Sequence, residues 1–197
     1  VYAYVHAGER VTGFGTGGWQ LSALKWCARV ATKPIIADGG IIHSGDIVKA
    51  LAAGASCVMF GRMFAACKEA PGKEVMLKPE EVPSRFRSII DGIQTEYCFK
   101  EYRGMGSVAA IERGIKISSE DEFHRKNFQS DVLIAEGVEG LVPCTHTVQE
   151  LTAQIMGGVT SGMYYVGARS ISEPWETEFV RITQASLRES HPHDLLV

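Results

Sequence analysis

Lys33-Pro34-Ile35-Ile36-Ala37-Asp38-Gly39-Gly40 is the stretch from which the fold is read. It is a short apolar run that ends in an acid and two glycines. Such a run reads as a strand buried on both faces, as in a parallel sheet. Asp38 then stands at the carboxyl end of the strand, where α/β folds place their ligands. The glycines let the backbone come close to a bound group, and a carboxylate beside them suits sugar hydroxyls. A tight turn into the next helix would use the same residues.

The residues after Gly40 favour the ligand reading. Ser44 to Ala55 reads as a helix, with Ser44 as N-cap and Gly54 as its stop. Ser56 to Phe60 is a second short apolar run and ends at Gly61-Arg62. Strand, glycine turn, helix, strand and glycine thus recur within one βα repeat. Glycine amides and an arginine at strand ends make a phosphate site. The pattern is that of the tail of a (β/α) barrel, whose last two βα loops often hold phosphate.

The chain has 197 residues, with 45% hydrophobic and 22% charged, which is ordinary globular usage. A net charge of −3 gives no electrostatic case for nucleic acid or a membrane surface. The opening residues do not read as a secretory signal. The five cysteines are scattered and form no CxxC pair, which reads against a zinc site and against a disulfide framework. An intracellular, cytoplasmic location is expected. Leu195-Leu196-Val197 is not a peroxisomal tripeptide, but a terminus further on would leave peroxisomal or glycosomal addressing open. A closed barrel needs about 250 residues. Only Lys33–Ala37 and Ser56–Phe60 read as clear barrel strands, with Tyr2–Val5 a weaker third. Residues 1–197 are therefore expected to be the C-terminal part of one (β/α)8 catalytic barrel.

Residues 12–19 (TGFGTGGW) are glycine-rich and lead into a helix expected over Gln20 to Ala31, its apolar face made by Leu21, Leu24, Trp26, Cys27 and Val30. Met63 to Glu69 reads as a further helix, before Ala70-Pro71-Gly72. Residues 73–100 are more polar, with a helix expected from Pro83 to Ile93, and read as an excursion from the barrel. Glu101 to Ser107 (EYRGMGS) is a second glycine-rich loop. Residues 114–131 lack periodicity and mark a flap, placed at about 107–140. A helix is expected from Val148 to Gly162 with Leu151, Ile155 and Met156 on one side, then a short strand over Tyr164–Ala168. A polar tail occupies about 170–197.

KPIIADGGI (33–41), AAGASCVMFG (52–61), EAPG (69–72), EYRGMGS (101–107), AEGVEGLVP (135–143) and FVRITQASLRESHPHD (179–194) together resemble the IMP dehydrogenase and GMP reductase family, in the family's order. The resemblance runs from Thr12 to Val197. It implies a (β/α)8 TIM barrel that binds a purine nucleoside monophosphate, GMP or IMP, and assembles as a homotetramer. Asp38 matches the acid that holds the ribose hydroxyls, beside Gly39. Gly40 and Gly61 match backbone contacts to phosphate, and Arg62 stands where the family usually has serine. Tyr102 matches a phosphate-binding tyrosine. Gly104, Met105 and Gly106 match the segment whose backbone meets the purine. Glu136 matches the catalytic acid near purine N1. Glu189, Ser190 and His191 match a tail whose carbonyls bind a monovalent cation, for which K+ is suited as a hard cation.

The two branches of the family run different chemistry on one site. The dehydrogenase oxidises IMP to XMP with NAD and hydrolyses a covalent purine–cysteine intermediate, which needs a base to activate water. Its flap carries an arginine–tyrosine pair just before a Phe-Gln-Ser-Asp-like segment. Here Lys126 and Asn127 precede Phe128-Gln129-Ser130-Asp131. Asn is not a useful proton acceptor, and Lys is protonated at neutral pH. The extended GTGGWQLSALKW form also resembles GMP reductases. The resemblance therefore implies a GMP reductase using NADPH, with Glu136 managing the proton for departing ammonia. EYRGMGSVAAIERG, VEGLVP and RESHPHD resemble the dehydrogenases more, so IMP dehydrogenase is the alternative. The family nucleophile is a cysteine just before the element matching Thr12-Gly13, yet residues 1–11 hold no cysteine. A non-catalytic purine-nucleotide-binding homologue is thus a second alternative.

Overall fold

The computed structural model describes residues 3–6, 20–104, 107–120, 139–172, 175 and 177–189. The expected βα order is present in its first half. Strand β1 (Ala3–His6), helix α1 (Gln20–Ala28), strand β2 (Ile35–Asp38), helix α2 (Ser44–Ala52) and strand β3 (Cys57–Met59) follow one another. The three strands form a parallel sheet in the order β1-β2-β3. Its register sets His6 beside Asp38 and Asp38 beside Met59, so the carboxyl ends of all three strands align. The weak strand at the start of the chain is therefore real.

The first core lies between this sheet and its helices. Ile35, Ile36 and Ala37 are buried, as the run without polar residues requires. In α1 only Leu24 is fully buried, while Leu21 and Cys27 pack beside it. Trp26 and Val30, expected on that face, are 71% and 79% exposed. The helix ends at Ala28, so Val30 never joins its apolar stripe. In α2, Ile47, Val48, Ala50 and Leu51 are buried. The N-cap is His43 rather than Ser44, because Asp46 reaches back to accept from the His43 N–H at 3.0 Å. Gly54 stops the helix region with φ +104°, a conformation that favours glycine.

After β3 come the short helix α3 (Arg62–Ala65) and then a second, antiparallel sheet. Strands β4 (Glu74–Leu77), β5 (Tyr97–Arg103) and, beyond helix α4 (Val108–Glu120), β6 (Glu139–Pro143) pair in the order β4-β5-β6. The polar excursion is thus an ordered sheet with its own core of Val82, Tyr97 and Phe99. The helix expected over Pro83–Ile93 is a 3-10 helix at Ser84–Ile89, and that expected over Met63–Glu69 is only the four residues of α3. Glu101–Arg103 belong to a strand, not a loop. Of the segment expected to be irregular, residues up to 120 are helical. Val108, Ile111 and Ile115 give α4 an apolar stripe at i, i+3 and i+7, diluted by its charges.

Helix α5 (Val148–Tyr165) returns to the first sheet and packs on α2. It starts with a reciprocal cap: Glu150 N–H donates to Thr147 Oγ1 and Thr147 N–H donates to the Glu150 carboxylate. It buries Leu151 and Val159, whereas Met156 is half exposed. Tyr164 and Tyr165, expected to begin a strand, are its last turn. Helix α6 (Gln184–Glu189) lies in the tail. Among the described residues, no helix is long and apolar enough to cross a membrane.

Candidate functional site

Asp38 is the last residue of β2, and Gly39 and Gly40 follow it with φ of +94° and +77°. Both values lie in the left-handed region, which a side chain would strain. The chain therefore turns sharply away at the strand end, and the space beside Gly40 is open within 4 Å of where a Cβ would stand. Gly39 N–H donates to the Met59 carbonyl at 3.4 Å, tying this turn to the end of β3. Gln20, at the start of α1, donates from Nε2 to the Asp38 carbonyl at 3.0 Å. The strand end is thus fixed from both sides.

Gly61 is the N-cap of α3, and Arg62 is its first residue. A Cβ on Gly61 would lie 3.3 Å from the Tyr102 hydroxyl. Sequence positions far apart thus meet in one place: the loop after β3 and the tyrosine of β5. Arg62 and Tyr102 line a cavity of about 810 Å³, together with Arg85, Glu139 and His146. Arg85, one residue into the 3-10 helix, lies over the Phe86 ring at 4.8 Å. Its place in the cavity was not read from the sequence, because no spacing links it to Gly61. An N-cap amide region, two guanidinium groups and a phenol suit a dianionic phosphate.

Tyr102 is held in place through its own strand. Lys100 is 2% exposed, and its Nζ donates to the carbonyls of Cys67, Lys68 and Ala70 at 2.9, 2.6 and 2.8 Å. Those carbonyls form the turn that comes after α3. One buried ammonium therefore joins β5 to the helix that begins at Gly61. Burying a lysine is tolerable when all its N–H groups are satisfied, as here.

Beyond Tyr102 the chain passes Gly104 and enters α4. Ser107 is fully buried; its Oγ accepts from Ala110 N–H and its carbonyl from Ile111 N–H. Glu139, at the start of β6, accepts from Ala109 N–H at 2.9 Å. One carboxylate thereby fastens the first turn of α4 to the start of β6, two places within the segment expected as a flap, and its charge faces the positive end of the helix. Glu136, Met105, Gly106, Ser190 and His191 lie outside the described residues, as do Lys126, Asn127 and the glycine-rich segment 12–19; of Glu189 only the backbone is described.

No cysteine stands in the loops after β1, β2 or β3. Cys57 opens β3 at the end opposite Gly61, and Cys27 is on α1. Burial pushes the fully buried Cys67 thiol up, with Glu69 and Cys144 adding to the rise.

A family model described as the IMP dehydrogenase / GMP reductase domain matches residues 8–193. The chain therefore belongs to the IMP dehydrogenase and GMP reductase family. It is 44% identical over 187 residues to an inosine-5'-monophosphate dehydrogenase of Halalkalibacterium halodurans, covering 93% of this chain and 34% of that protein. It is 44% identical over 185 residues to the enzyme of the same name from Thermoplasma acidophilum, with 92% and 33% covered. Among solved structures it resembles a GMP reductase variant from Trypanosoma brucei in complex with guanosine 5'-monophosphate, with a TM-score of 0.70 and 39% identity over 94% of this chain and 33% of that one. The chain spans about a third of the length of these relatives.

Proposed function

We propose that the protein carrying this chain is a GMP reductase, which converts GMP to IMP and ammonia with NADPH through a covalent purine–cysteine intermediate. The observation that carries this reading is the Lys126-Asn127 pair before Phe128-Gln129, where the dehydrogenase branch has its water-activating arginine and tyrosine. Without a base for water, hydride must resolve the intermediate. The likeness to the T. brucei GMP reductase complex supports it. In this reading β1, β2 and β3 are the last three strands of a (β/α)8 barrel. Asp38 takes the ribose hydroxyls. The amides of Gly40 and Gly61, with Arg62 and the Tyr102 hydroxyl, take the phosphate. Gly104, Met105 and Gly106 offer backbone to the purine, and Glu136 moves the proton that ammonia needs to leave. The tail at Glu189, Ser190 and His191 binds K+ in a homotetramer, and the enzyme works inside the cell.

IMP dehydrogenase is the second reading, favoured by the names of the curated relatives. Full-length protein assayed by absorbance separates the two. NADPH consumed with GMP is the expected result, and NADH formed from IMP and NAD overturns it. Neither reaction, with tight GMP binding retained, would leave a non-catalytic nucleotide-binding homologue. Glu136→Gln is expected to lower kcat far more than GMP affinity; equal losses would reduce Glu136 to a binding residue.

A further inference from the structure

The second sheet carries a cluster of side chains that the nucleotide site does not use. Glu74 lies on β4, Cys98 on β5 and Cys144 one residue past β6. Cys98 and Cys144 stand opposite each other, because the pairing of Phe99 with Pro143 continues to them and Cys144 N–H donates to the Cys98 carbonyl at 2.9 Å. Glu74 pairs with Lys100, two residues along β5, which makes it a diagonal neighbour of Cys98 on the same face. The two sulfurs and a Glu74 carboxylate oxygen all lie within 4.8 Å of one another. Ligand atoms around a tetrahedral zinc ion, bonded at about 2.0–2.3 Å, are separated by roughly 3–4 Å. Small side-chain rotations close the difference.

We propose that Glu74, Cys98 and Cys144 hold one thiophilic divalent cation of the zinc class, with water in a fourth position. Thiolates with a carboxylate are a donor set that selects such a metal over calcium or magnesium. The charges also balance. Two thiolates and one carboxylate are matched by a divalent cation together with the Lys100 ammonium, which lies 3.9 Å from Glu74. Lys100 is anchored by three carbonyls and so balances the charge without taking the metal's place. Glu74 is exposed and both cysteines are partly so, which leaves a path from solvent. Each ligand comes from a different strand or its immediate end, so the cation would staple β4, β5 and the chain leaving β6. The sequence hid this site because its two cysteines are 46 positions apart and form no local motif.

The test uses reduced, chelator-stripped full-length protein titrated with Cd2+ and, separately, Zn2+. Cadmium is expected to produce the ultraviolet thiolate-to-metal band at one equivalent attributable to this site, and zinc to raise the melting temperature. Cys98→Ser and Cys144→Ser should each abolish both signals, while Cys27→Ser and Cys57→Ser leave them unchanged. Glu74→Gln, an exposed change that leaves the fold intact, should weaken zinc by roughly tenfold or more. The proposal is overturned if the band survives in both serine variants, or if zinc fails to compete with a chromophoric chelator. Loss of the two thiols to oxidant without retained metal would make the pair a redox couple and equally overturn it.

Discussion

Tyr102 and Lys100 lie two residues apart on β5, and their side chains do different work. The Tyr102 hydroxyl stands against Gly61, at the proposed phosphate position. A hydrogen bond to a charged group contributes about 1.5–3 kcal/mol. In full-length protein, Tyr102→Phe is therefore expected to raise KM for the nucleotide by about ten- to a hundredfold with kcat changed far less; an unchanged KM would remove Tyr102 from the phosphate site. Lys100→Met keeps most of the side-chain bulk but leaves the carbonyls of Cys67, Lys68 and Ala70 without their donor. Loss of stability by about 2–4 kcal/mol is expected, read by equilibrium denaturation. At this scale the sequence was informative where chemistry is local. Asp38 with its two glycines announced a strand end by itself. The approach of Tyr102 to Gly61 was not legible from pattern, since only the folded second sheet creates it.

Helix α5 meets α2 through its glycines, and these separate packing from propensity. A Cβ at Gly162 would overlap Val48 at 2.6 Å, and one at Gly158 would overlap the Ser44 side chain. Gly157, one position earlier, has nothing within 4 Å. Alanine normally favours a helix over glycine by about 1 kcal/mol. Gly157→Ala should thus stabilise by up to about 1 kcal/mol, while Gly162→Ala should destabilise by about 1–3 kcal/mol through overpacking. Matched melting curves decide it, and equal shifts would mean that the two helices do not touch closely. Helix α2 also carries an acid-sensitive start. Burial would raise the Asp46 carboxyl, but hydrogen bonds from Lys49, Ile42 and His43, with the Lys49 charge, outweigh it and leave the group below its usual value. A carboxyl depressed in the folded state stabilises above its unfolded pKa, and that stability drains as pH falls through the folded one. Asp46→Asn should therefore lower stability at neutral pH and make it less dependent on pH below about 4; an unchanged acid profile would show that this cap carries no linkage. The element order of the first half was legible because buried strands and a glycine stop are strong signals. The second sheet was not, because Lys100 occupies a buried position inside β5 and breaks the apolar pattern a strand normally shows.

At the scale of the molecule, two sheets meet around the turn after α3. Lys68 N–H donates to the His146 carbonyl, Thr145 N–H to the Ala66 carbonyl, and Val148 N–H to the Glu69 carboxylate. That turn therefore links β5, the chain leaving β6 and the start of α5. The sequence conveyed the βα order of the parallel half but gave no sign of this junction, whose bonds join residues far apart in the chain and each end on at least one backbone group, which leaves little mark on residue type. The buried ammonium at its centre has a practical corollary. A primary amine enclosed by carbonyls is hidden from acylating reagents, so Lys100 can be acylated only in molecules whose junction has come apart. Mass spectrometry of that one peptide, set against solvent-facing Lys25 and Lys49, should then time a local opening event, which a nucleotide seated at the proposed phosphate position would slow.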